Sequence, residues 1–253
     1  MLIHERLEKI KAILAQNPRC GVEEIQEKLG VSRSTVRRDL LKLEDGGEVL
    51  RVHGGALNAG MLRGEPTYDK RSRMAVKAKR LIGEQAAELV EDGQSVFVDA
   101  GTSCVEVGRR LLLRENVQIF TNSIGLLQHA HEGVAEIMCI GGKVRRSTEA
   151  MVGGLSLNWF KRLKFDVAII GASSLSVEDG ASTTELLEAS VKQEAMRRAK
   201  RSVLVADASK LEANAVVGFA AWDEFDDWVM DKKLPAEKMK QLKKANIKLH
   251  YPK

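Results

Sequence analysis

From residue 95 onward, short apolar strands alternate with stretches of helical periodicity, and this alternation limits the fold more than any other feature of the sequence. The predicted strands are 95–100, 117–122, 136–142, 166–173, 202–207 and 227–231, and helical stretches near 103–113, 123–132, 185–200 and 235–245 lie between or after them. Strands separated by helices can pair in parallel, with the helices covering both faces of the sheet. The pattern therefore predicts an α/β fold with a mostly parallel sheet.

Composition excludes several classes of protein. The chain has 253 residues, of which 44% are apolar, but no apolar run approaches the roughly 18 residues of a membrane-spanning helix. The first segment, MLIHERLEKIKAIL, interleaves charged and apolar residues every three or four positions, which indicates an amphipathic helix and not a signal peptide. Cys20, Cys104 and Cys139 are odd in number and far apart, so they predict neither a disulfide framework nor a zinc site. We expect a cytoplasmic protein without a metal or cofactor.

Positive charge is concentrated in the N-terminal third of the chain. Residues 1–80 hold 17 Lys and Arg against 11 Asp and Glu, a net charge of +6, whereas residues 81–253 hold 23 against 24, a net charge of −1. This asymmetry favours a polyanionic partner for the N-terminal end.

The first 57 residues predict a small helical unit. Apolar spacing indicates helices at Ile3–Gln16 and at Val22–Leu29, and a third helix that begins after a capping serine, Ser32, and ends near Asp45. Gly30 is predicted to end the second helix in the left-handed conformation, so a short glycine-containing turn joins the second and third helices, as in a helix-turn-helix. Two glycine pairs then bracket an alternating segment at 49–52, which predicts a β-hairpin.

The third helix has one apolar and one polar side. Val36, Leu40 and Leu43 follow the spacing i, i+4, i+7 and must face the first two helices. The opposite side, near the helix N-terminus, holds Arg33, Ser34, Thr35, Arg37 and Arg38. Arginine can donate two hydrogen bonds to one guanine or to a phosphate, so we interpret this end as a DNA-reading surface. An ordinary solvated, charged helix face is the alternative.

Residues 31–57, VSRSTVRRDLLKLEDGGEVLRVHGGAL, resemble the start of the DeoR family of bacterial transcription regulators. The resemblance implies a winged helix-turn-helix that binds a double-stranded DNA operator, with Arg51 and His53 on the wing beside the duplex. Asp39 would then be structural and paired with a basic neighbour, because a carboxylate facing DNA would be repelled. The helix side and the resemblance together predict the DNA-binding residues Ser32, Arg33, Ser34, Thr35, Arg37, Arg38, Arg51 and His53.

These patterns predict a winged helix-turn-helix domain at 1–57, a linker at 58–74 and an α/β domain at 75–253. The segment EPTYDKR, residues 65–71, is similar to the link between domains in the family. We expect the two domains to couple through the helix predicted from about Ala75 to Glu91.

Small and polar residues follow five of the predicted strands. The five loops are Asp99-Ala100-Gly101-Thr102-Ser103, Thr121-Asn122-Ser123, Gly141-Gly142-Lys143, Gly171-Ala172-Ser173-Ser174 and Asp207-Ala208-Ser209-Lys210. In open α/β sheets, ligands bind beyond the carboxyl ends of the strands. Hydroxyl groups and the N–H groups of a helix N-terminus can hold an anion there. Ordinary turn chemistry is the alternative for these loops.

This layout is similar to the effector domain of the DeoR family, which itself resembles ribose-5-phosphate isomerase and glucosamine-6-phosphate deaminase. The resemblance implies a phosphorylated sugar or a related metabolite as effector. The effector-binding residues implied by the resemblance are Asp99, Gly101, Thr102, Ser103, Thr121, Asn122, Ser123, Lys192 and Lys210. The strand-end loops add Gly142 and Gly171 as candidates. A solvated surface lysine is the alternative reading of Lys192. The chain departs from the family at Ser174-Leu175, where the family usually has a glycine and an aliphatic residue.

We therefore expect a DNA-binding transcription regulator, a repressor rather than an activator, that acts as a homo-oligomer because a second reading head adds affinity on repeated half-sites. We predict no catalytic residue, since the histidines lie away from the strand ends and no familiar hydrolase or nucleotide-binding motif is present. Two alternatives stay open. One is a sugar-phosphate isomerase with a DNA-binding appendage, for which Glu178 or Asp179 could be the base. The other is a DNA-binding oligomer without an effector.

Overall fold

The computed structural model describes residues 3–16, 19–45, 49–52, 55–58, 66–242 and 245–252. The chain divides into two compact units, Met1–Gly64 and Glu65–Lys253. One apolar cluster forms the core of the first unit, and two clusters form the core of the second. Among the helices of the described part, none is long and apolar enough to cross a membrane.

The first unit consists of three helices and a small antiparallel sheet. Its elements are α1 (Ile3–Gln16), β1 (Arg19–Gly21), α2 (Val22–Leu29), α3 (Arg33–Asp45), β2 (Val49–Val52) and β3 (Gly55–Asn58). Strands β2 and β3 pair antiparallel, which confirms the predicted hairpin. Strand β3 also pairs with β1, a three-residue strand that the sequence pattern does not predict. Three helices followed by this hairpin form a winged helix-turn-helix.

Helical spacing places the apolar residues of the first unit on facing sides. Val36, Leu40 and Leu43 of α3 are buried, as their spacing predicts. Their buried partners from the other helices include Ile10, Leu14, Val22 and Ile25. Gly30 has a φ of +64°, where a side chain would be strained, and it ends α2 as predicted. The core and this turn together fix α3 across the first two helices.

The second unit begins with two helices, α4 (Tyr68–Arg73) and α5 (Val76–Ala87). The sequence predicts a linker at 58–74, and the structure differs from it at residues 68–73, which form α4 within the second unit. This helix is short and largely polar, and Tyr68 is its apolar contact with the core. One aromatic residue gives no helical periodicity, so the sequence pattern could not reveal α4.

The other elements of the second unit alternate as predicted, with additions. In chain order they are β4 (Ser95–Val98), α6 (Thr102–Leu111), β5 (Gln118–Thr121), α7 (Ile124–Leu127), β6 (Glu136–Cys139), β7 (Lys143–Arg145), β8 (Ala150–Val152), α8 (Gly154–Phe160), β9 (Phe165–Ile170), β10 (Ser174–Ser176), β11 (Gly180–Thr183), α9 (Leu186–Arg197), β12 (Ala199–Val205), β13 (Val217–Ala220), β14 (Asp227–Val229), α10 (Ala236–Leu242) and β15 (Lys248–His250). Short 3-10 helices lie at Ala130–Glu132, Ala208–Glu212 and Trp222–Glu224.

Within the described residues, the main sheet has seven parallel strands in the order β15-β14-β12-β9-β4-β5-β6. This confirms the predicted α/β fold. The predicted strands at 136–142 and 166–173 are shorter than expected, ending at Cys139 and Ile170. The β7–β8 hairpin, helix α8 and the small antiparallel sheet β10-β11-β13 were not predicted, because their short mixed segments lack a clear period.

Helices cover both faces of the main sheet. Ile82 of α5 and Leu111 of α6 belong to the apolar cluster on one face, and Phe160 of α8 and Ala195 of α9 belong to the cluster on the other. The strand order places the carboxyl ends of β12, β9, β4, β5 and β6 next to one another. All five of the polar loops predicted as a ligand edge therefore follow neighbouring strands.

Candidate functional site

Ser32 caps α3, as predicted. Its Oγ accepts a hydrogen bond from the backbone N–H of Thr35 at 3.2 Å, and its carbonyl accepts from the N–H of Val36 at 3.0 Å. The same Oγ lies 2.9 Å from Ser34 Oγ and 2.8 Å from Thr35 Oγ1. The N-terminal end of α3 therefore presents a group of linked hydroxyls beside its arginines.

The arginines of α3 lie on the exposed side of the helix. Among the described residues, the guanidinium groups of Arg37 and Arg38 have no hydrogen-bond or ion-pair partner, and both side chains are exposed. Arg33 is also exposed and forms an ion pair with Glu23 of α2 at 2.8 Å. A pair at the surface is weak and competes poorly with a phosphate. The arginines are thus available to a polyanion.

Asp39 has the structural role that the resemblance implies. It is 0% exposed, and both of its carboxylate oxygens accept hydrogen bonds from Arg6, one from Nε and one from Nη2 at 3.0 Å. This bidentate pair joins α1 to α3 and neutralises the buried Asp39 carboxylate, which directly follows Arg38 in the helix. The outer side of the helix therefore stays positive.

The wing residues are less completely described. Arg51 lies on β2, of which the structure describes the backbone, and His53 lies outside the described residues. Their predicted contacts with DNA remain predictions.

In the second unit, a buried ion pair lies at the carboxyl edge of the sheet. Lys192 of α9 donates hydrogen bonds to Asp99 Oδ2 and to the carbonyl of Gly171, the second at 3.0 Å. Asp99 Oδ2 also accepts from the N–H of Gly171 at 3.1 Å. Lys192 is 7% exposed and Asp99 is 2% exposed. This burial excludes the alternative reading of Lys192 as a solvated surface lysine.

Lys192 is held as an ammonium group. Burial by itself lowers the pKa of a lysine, but the carboxylates of Asp99 and Glu188 outweigh it, so the pKa of Lys192 is raised. The ring of Phe219 adds a cation–π contact at 5.5 Å from Nζ to the centroid. The strand-end edge therefore contains a buried ammonium group that is ion-paired with Asp99.

The loops after β4 and β9 lie close together at Gly101 and Gly171. A Cβ on Gly171 would lie 3.7 Å from the Cα of Gly101 and 3.1 Å from the Sγ of Cys104. Cys104 is fully buried, and that burial, followed by the charge of Asp99, raises the pKa of its thiol. The thiol is therefore an unreactive packing group beneath the two loops.

Helix α6 begins at this place. Gly101 is its N-cap residue and offers no side chain to cap it, and Thr102 and Ser103 form the buried first turn. The first N–H groups of a helix have no acceptor within that helix. The predicted Asp99, Gly101, Thr102 and Ser103 thus lie together with Gly171 and Lys192.

Thr121, Asn122 and Ser123 follow β5, the neighbouring strand. Thr121 Oγ1 donates to the carbonyl of Val98 at 2.6 Å, and Ser123 Oγ caps α7 by accepting from Leu126 N–H at 3.1 Å. Asn122 donates through Nδ2 to the carbonyl of Met151 at 3.1 Å, whereas its buried Oδ1 has no hydrogen-bond partner in the described chain. Two of these residues are thus structural, and Asn122 keeps one acceptor for a ligand or water.

The last two predicted residues lie elsewhere on the edge. Gly142 lies against α8, where a Cβ would be 2.1 Å from Ser156 Oγ and 2.8 Å from the carbonyl of Val152, so packing alone requires glycine there. Lys210 lies in the 3-10 helix Ala208–Glu212 after β12. Its charge, after burial, is among the causes that lower the pKa of Lys79 to about 8, which indicates that Lys210 lies near the first turn of α5.

A second buried carboxylate was missed by the sequence reasoning. Glu188 of α9 accepts hydrogen bonds from Thr148, from Thr183 at 3.0 Å and from Arg145 at 3.1 Å. It precedes Lys192 by four residues and so lies on the same side of the helix. The four-residue spacing was the available signal in the sequence, but two of the three donors, Arg145 and Thr148, come from a distant segment.

Two family models match the chain. The DeoR-like helix-turn-helix domain matches residues 6–59, and the DeoR C terminal sensor domain matches residues 74–232. The chain belongs to the DeoR family. A DeoR-family chain is a DNA-binding transcription regulator, which confirms the predicted class of function.

Relatives in the DeoR family match along nearly the whole chain. The transcriptional regulator GlpR of Haloferax volcanii is 35% identical and covers 98% of this chain and 97% of that protein. The transcriptional repressor GlcR of Bacillus subtilis is 32% identical and covers 92% of this chain and 90% of that protein. Among solved structures, ribose 5-phosphate isomerase A from Methanocaldococcus jannaschii is similar over 52% of each chain, with 16% identity and a TM-score of 0.39.

Proposed function

We propose that this chain is a repressor that releases its operator when a phosphorylated, hydroxyl-bearing metabolite binds at the carboxyl edge of the sheet. The observation that carries the proposal is the buried ammonium of Lys192 beside the uncapped N-terminus of α6. The N–H groups of a helix N-terminus favour an anionic group. The Lys192 ammonium, although paired with Asp99, uses two of its three N–H donors on Asp99 and Gly171 and keeps the third for a ligand. Repression is the role named for relatives such as the transcriptional repressor GlcR of Bacillus subtilis.

Open acceptors at the same edge favour a ligand with hydroxyl groups. Asp99 uses Oδ2 for Lys192 and Gly171, and in the described part of the chain its Oδ1 accepts no hydrogen bond. Asn122 Oδ1 is a second buried acceptor at the neighbouring strand end. Sugar hydroxyls can donate to such acceptors, whereas an apolar ligand would leave them unsatisfied. A phosphorylated sugar supplies both the anion and the donors.

The carboxylates at this edge argue against catalysis. A general base must be able to take a proton from the substrate. Glu188 already accepts hydrogen bonds from three side chains. The two candidate bases from the sequence, Glu178 and Asp179, lie in an exposed turn, where Asp179 accepts from Ser176 Oγ at 3.0 Å. We therefore propose a binding site without turnover, and a rate above about 1 per second on any sugar phosphate would contradict this.

The DNA-binding half of the proposal rests on α3 and the wing. Arg33, Arg37 and Arg38 would meet phosphates or guanine edges, with the hydroxyls of Ser32, Ser34 and Thr35 beside them. We also propose that the regulator acts in the cytoplasm. We propose that it is a homo-oligomer, because a second DNA-binding unit on a second half-site fixes the position of the first on the operator. A footprint of two half-sites about 10 base pairs apart would support this arrangement.

The test uses operator DNA selected from genomic fragments and a panel of probes: inorganic phosphate, glucose 6-phosphate, fructose 1-phosphate and glycerol 3-phosphate. A probe at 100 times its Kd should stabilise the chain by about 2.7 kcal/mol in a thermal-shift assay and should weaken operator binding. Thr102→Val should keep operator affinity but remove the response, since it alters the first turn of α6. An undiminished response in that variant would refute the assignment of this turn to the effector.

A further inference from the structure

Helix α4 is the first helix after the boundary between the two units, and Tyr68 fixes its start. The backbone N–H of Tyr68 donates to the carbonyl of Ser147 at 2.7 Å, in the turn of the β7–β8 hairpin. The ring lies directly on Gly125 in α7, where an added Cβ would be only 2.2 Å from Tyr68 Oη. Tyr68 therefore contacts two segments that border the proposed effector site.

The hairpin turn that receives Tyr68 is held from several sides. Arg145 and Thr148 donate to Glu188, and the carbonyl of Glu149 accepts from Ile124 N–H at 2.9 Å. Glu149 has a φ of +54°, a left-handed conformation that is unusual for a residue with a side chain. Strained backbone of this kind persists only where neighbouring contacts enforce it, and it is common in switching segments.

The contacts form a continuous connection inside the second unit. Lys192 and Glu188 lie one helical turn apart on α9, and Glu188 binds Thr148 in the hairpin turn. The adjacent residue, Ser147, accepts the hydrogen bond from Tyr68. On the other side, Asn122 and Ser123 lie just before Gly125, on which the Tyr68 ring rests. Both routes run from proposed effector residues to the start of α4.

The end of α4 is also fixed. Lys79 of α5 is buried and donates hydrogen bonds to the carbonyls of Arg71 and Met74, the second at 2.6 Å. Burial, then the nearby charge of Lys210, lowers the pKa of Lys79 to about 8. Lys79 therefore ties the C-terminal end of α4 to α5.

We infer that α4, and Tyr68 in particular, transmits occupation of the effector site to the DNA-binding unit. This inference rests on the proposed function and names the route of its regulation. Ligand binding at Lys192 and Asn122 would shift the Glu188–Thr148 contact and the α7 start, and so change how firmly Tyr68 holds α4. Along the chain, α4 is the first helix of the second unit after the DNA-binding unit, so a change in how it is held is passed on toward that unit.

The first test measures hydrogen exchange of residues 66–73 in the full chain. A panel probe that raises Tm should change exchange in this segment by about 5- to 150-fold, the usual range of allosteric coupling. Thr148→Val provides a test without any ligand, because it removes one donor to Glu188 and should change exchange at the same segment. Unchanged exchange in both experiments would overturn the inference.

The second test separates binding from transmission. Tyr68→Ala should keep the thermal shift with the probe and the operator affinity without probe, but the probe should no longer release DNA. Gly125→Ala should also prevent release of DNA by the probe, because the added methyl group would overlap the Tyr68 ring and displace it. Tyr251→Ala is the matched control, because Tyr251 packs elsewhere, with its hydroxyl 2.9 Å from Met239 Sδ. Normal release by both the Tyr68 and Gly125 variants would overturn the inference.

These outcomes distinguish the inference from the proposed function. If no panel probe raises Tm, the proposed effector class fails, and the Thr148→Val exchange result alone decides the role of α4. If a probe raises Tm and releases DNA from the wild type and from Tyr68→Ala alike, the proposed function stands and the inference about α4 falls.

Discussion

The two units present positive charge in opposite ways. In the first unit, Arg37 and Arg38 are exposed, and Asp39 below them is neutralised by Arg6. In the second unit, Lys192 is buried and paired with Asp99. Exposed, unpaired cations suit a large polyanion that brings many phosphates to the surface. A buried, paired cation suits a small ligand that enters a site whose geometry is already fixed.

The difference also predicts how each unit responds to salt. Cations that neutralise DNA phosphates release counterions, so operator affinity should fall steeply as salt rises. A buried pair is screened far less than exposed charges. Binding of the effector should therefore depend on salt much less than binding of DNA does.

The largest expected effect comes from breaking the buried pair. Lys192→Met should cost the second unit about 3–5 kcal/mol, because Asp99 would remain buried without its counter-charge. Urea unfolding followed by tryptophan fluorescence measures this directly, since Trp159, Trp222 and Trp228 all lie in the second unit.

Two further variants show whether burial of the ion pair causes the loss of stability in Lys192→Met. Asp99→Asn combined with Lys192→Met should recover much of the loss, because no uncompensated charge remains. Lys200→Met is the matched control: Lys200 pairs with Asp166 at 2.7 Å, but its side chain is 81% exposed. That pair should contribute less than about 1 kcal/mol. Equal losses in the two lysine variants would contradict the contrast between buried and exposed pairs.

The next effect concerns the exposed arginines. Arg37→Ala or Arg38→Ala should weaken operator binding by about 1–3 kcal/mol if the side chain reads a base, and should reduce the salt slope by about 1 if it binds a phosphate. Stability should stay unchanged, since neither guanidinium has a partner within the described chain. Fluorescence anisotropy at several salt concentrations measures both quantities.

Lys42→Ala is the control for these variants. Lys42 is exposed on α3 as well, but it lies in the last turn, away from the predicted reading end. Equal losses for Lys42, Arg37 and Arg38 would indicate a general charge effect and not a reading surface at the helix N-terminus.

The first unit and the parallel sheet could be predicted because their signals are local. Ser32, Gly30 and the spacing of Val36, Leu40 and Leu43 each act within a few residues, and the strands of the sheet are short apolar runs. The grouping of Asp99, Gly101 and Gly171 also followed, since parallel strands end at one edge.

The elements and site residues that the sequence did not predict depend on contacts between segments that are distant in the sequence. Glu188 could not be given its role from sequence, because Arg145 and Thr148 lie about 40 residues away in a hairpin with no clear pattern. Helix α4 was hidden because its stability depends on Tyr68 and Lys79 and not on a periodic apolar face. Gly142 shows the opposite case, where a glycine predicted for a ligand already has a packing reason in Ser156.

The smallest expected effect tests whether the surface ion pair between Arg33 and Glu23 weakens binding of operator DNA. Glu23→Gln removes the exposed partner of Arg33, so stability should change by less than about 0.5 kcal/mol. Operator affinity should rise slightly and most clearly at low salt, because Arg33 becomes available and a nearby negative charge is lost. Glu24→Gln is the control: it also removes one negative charge from α2, but Glu24 pairs with Lys28 instead, at 2.8 Å. A larger gain for Glu23→Gln than for Glu24→Gln would place Arg33 at the DNA, whereas equal gains would reduce its role to general charge.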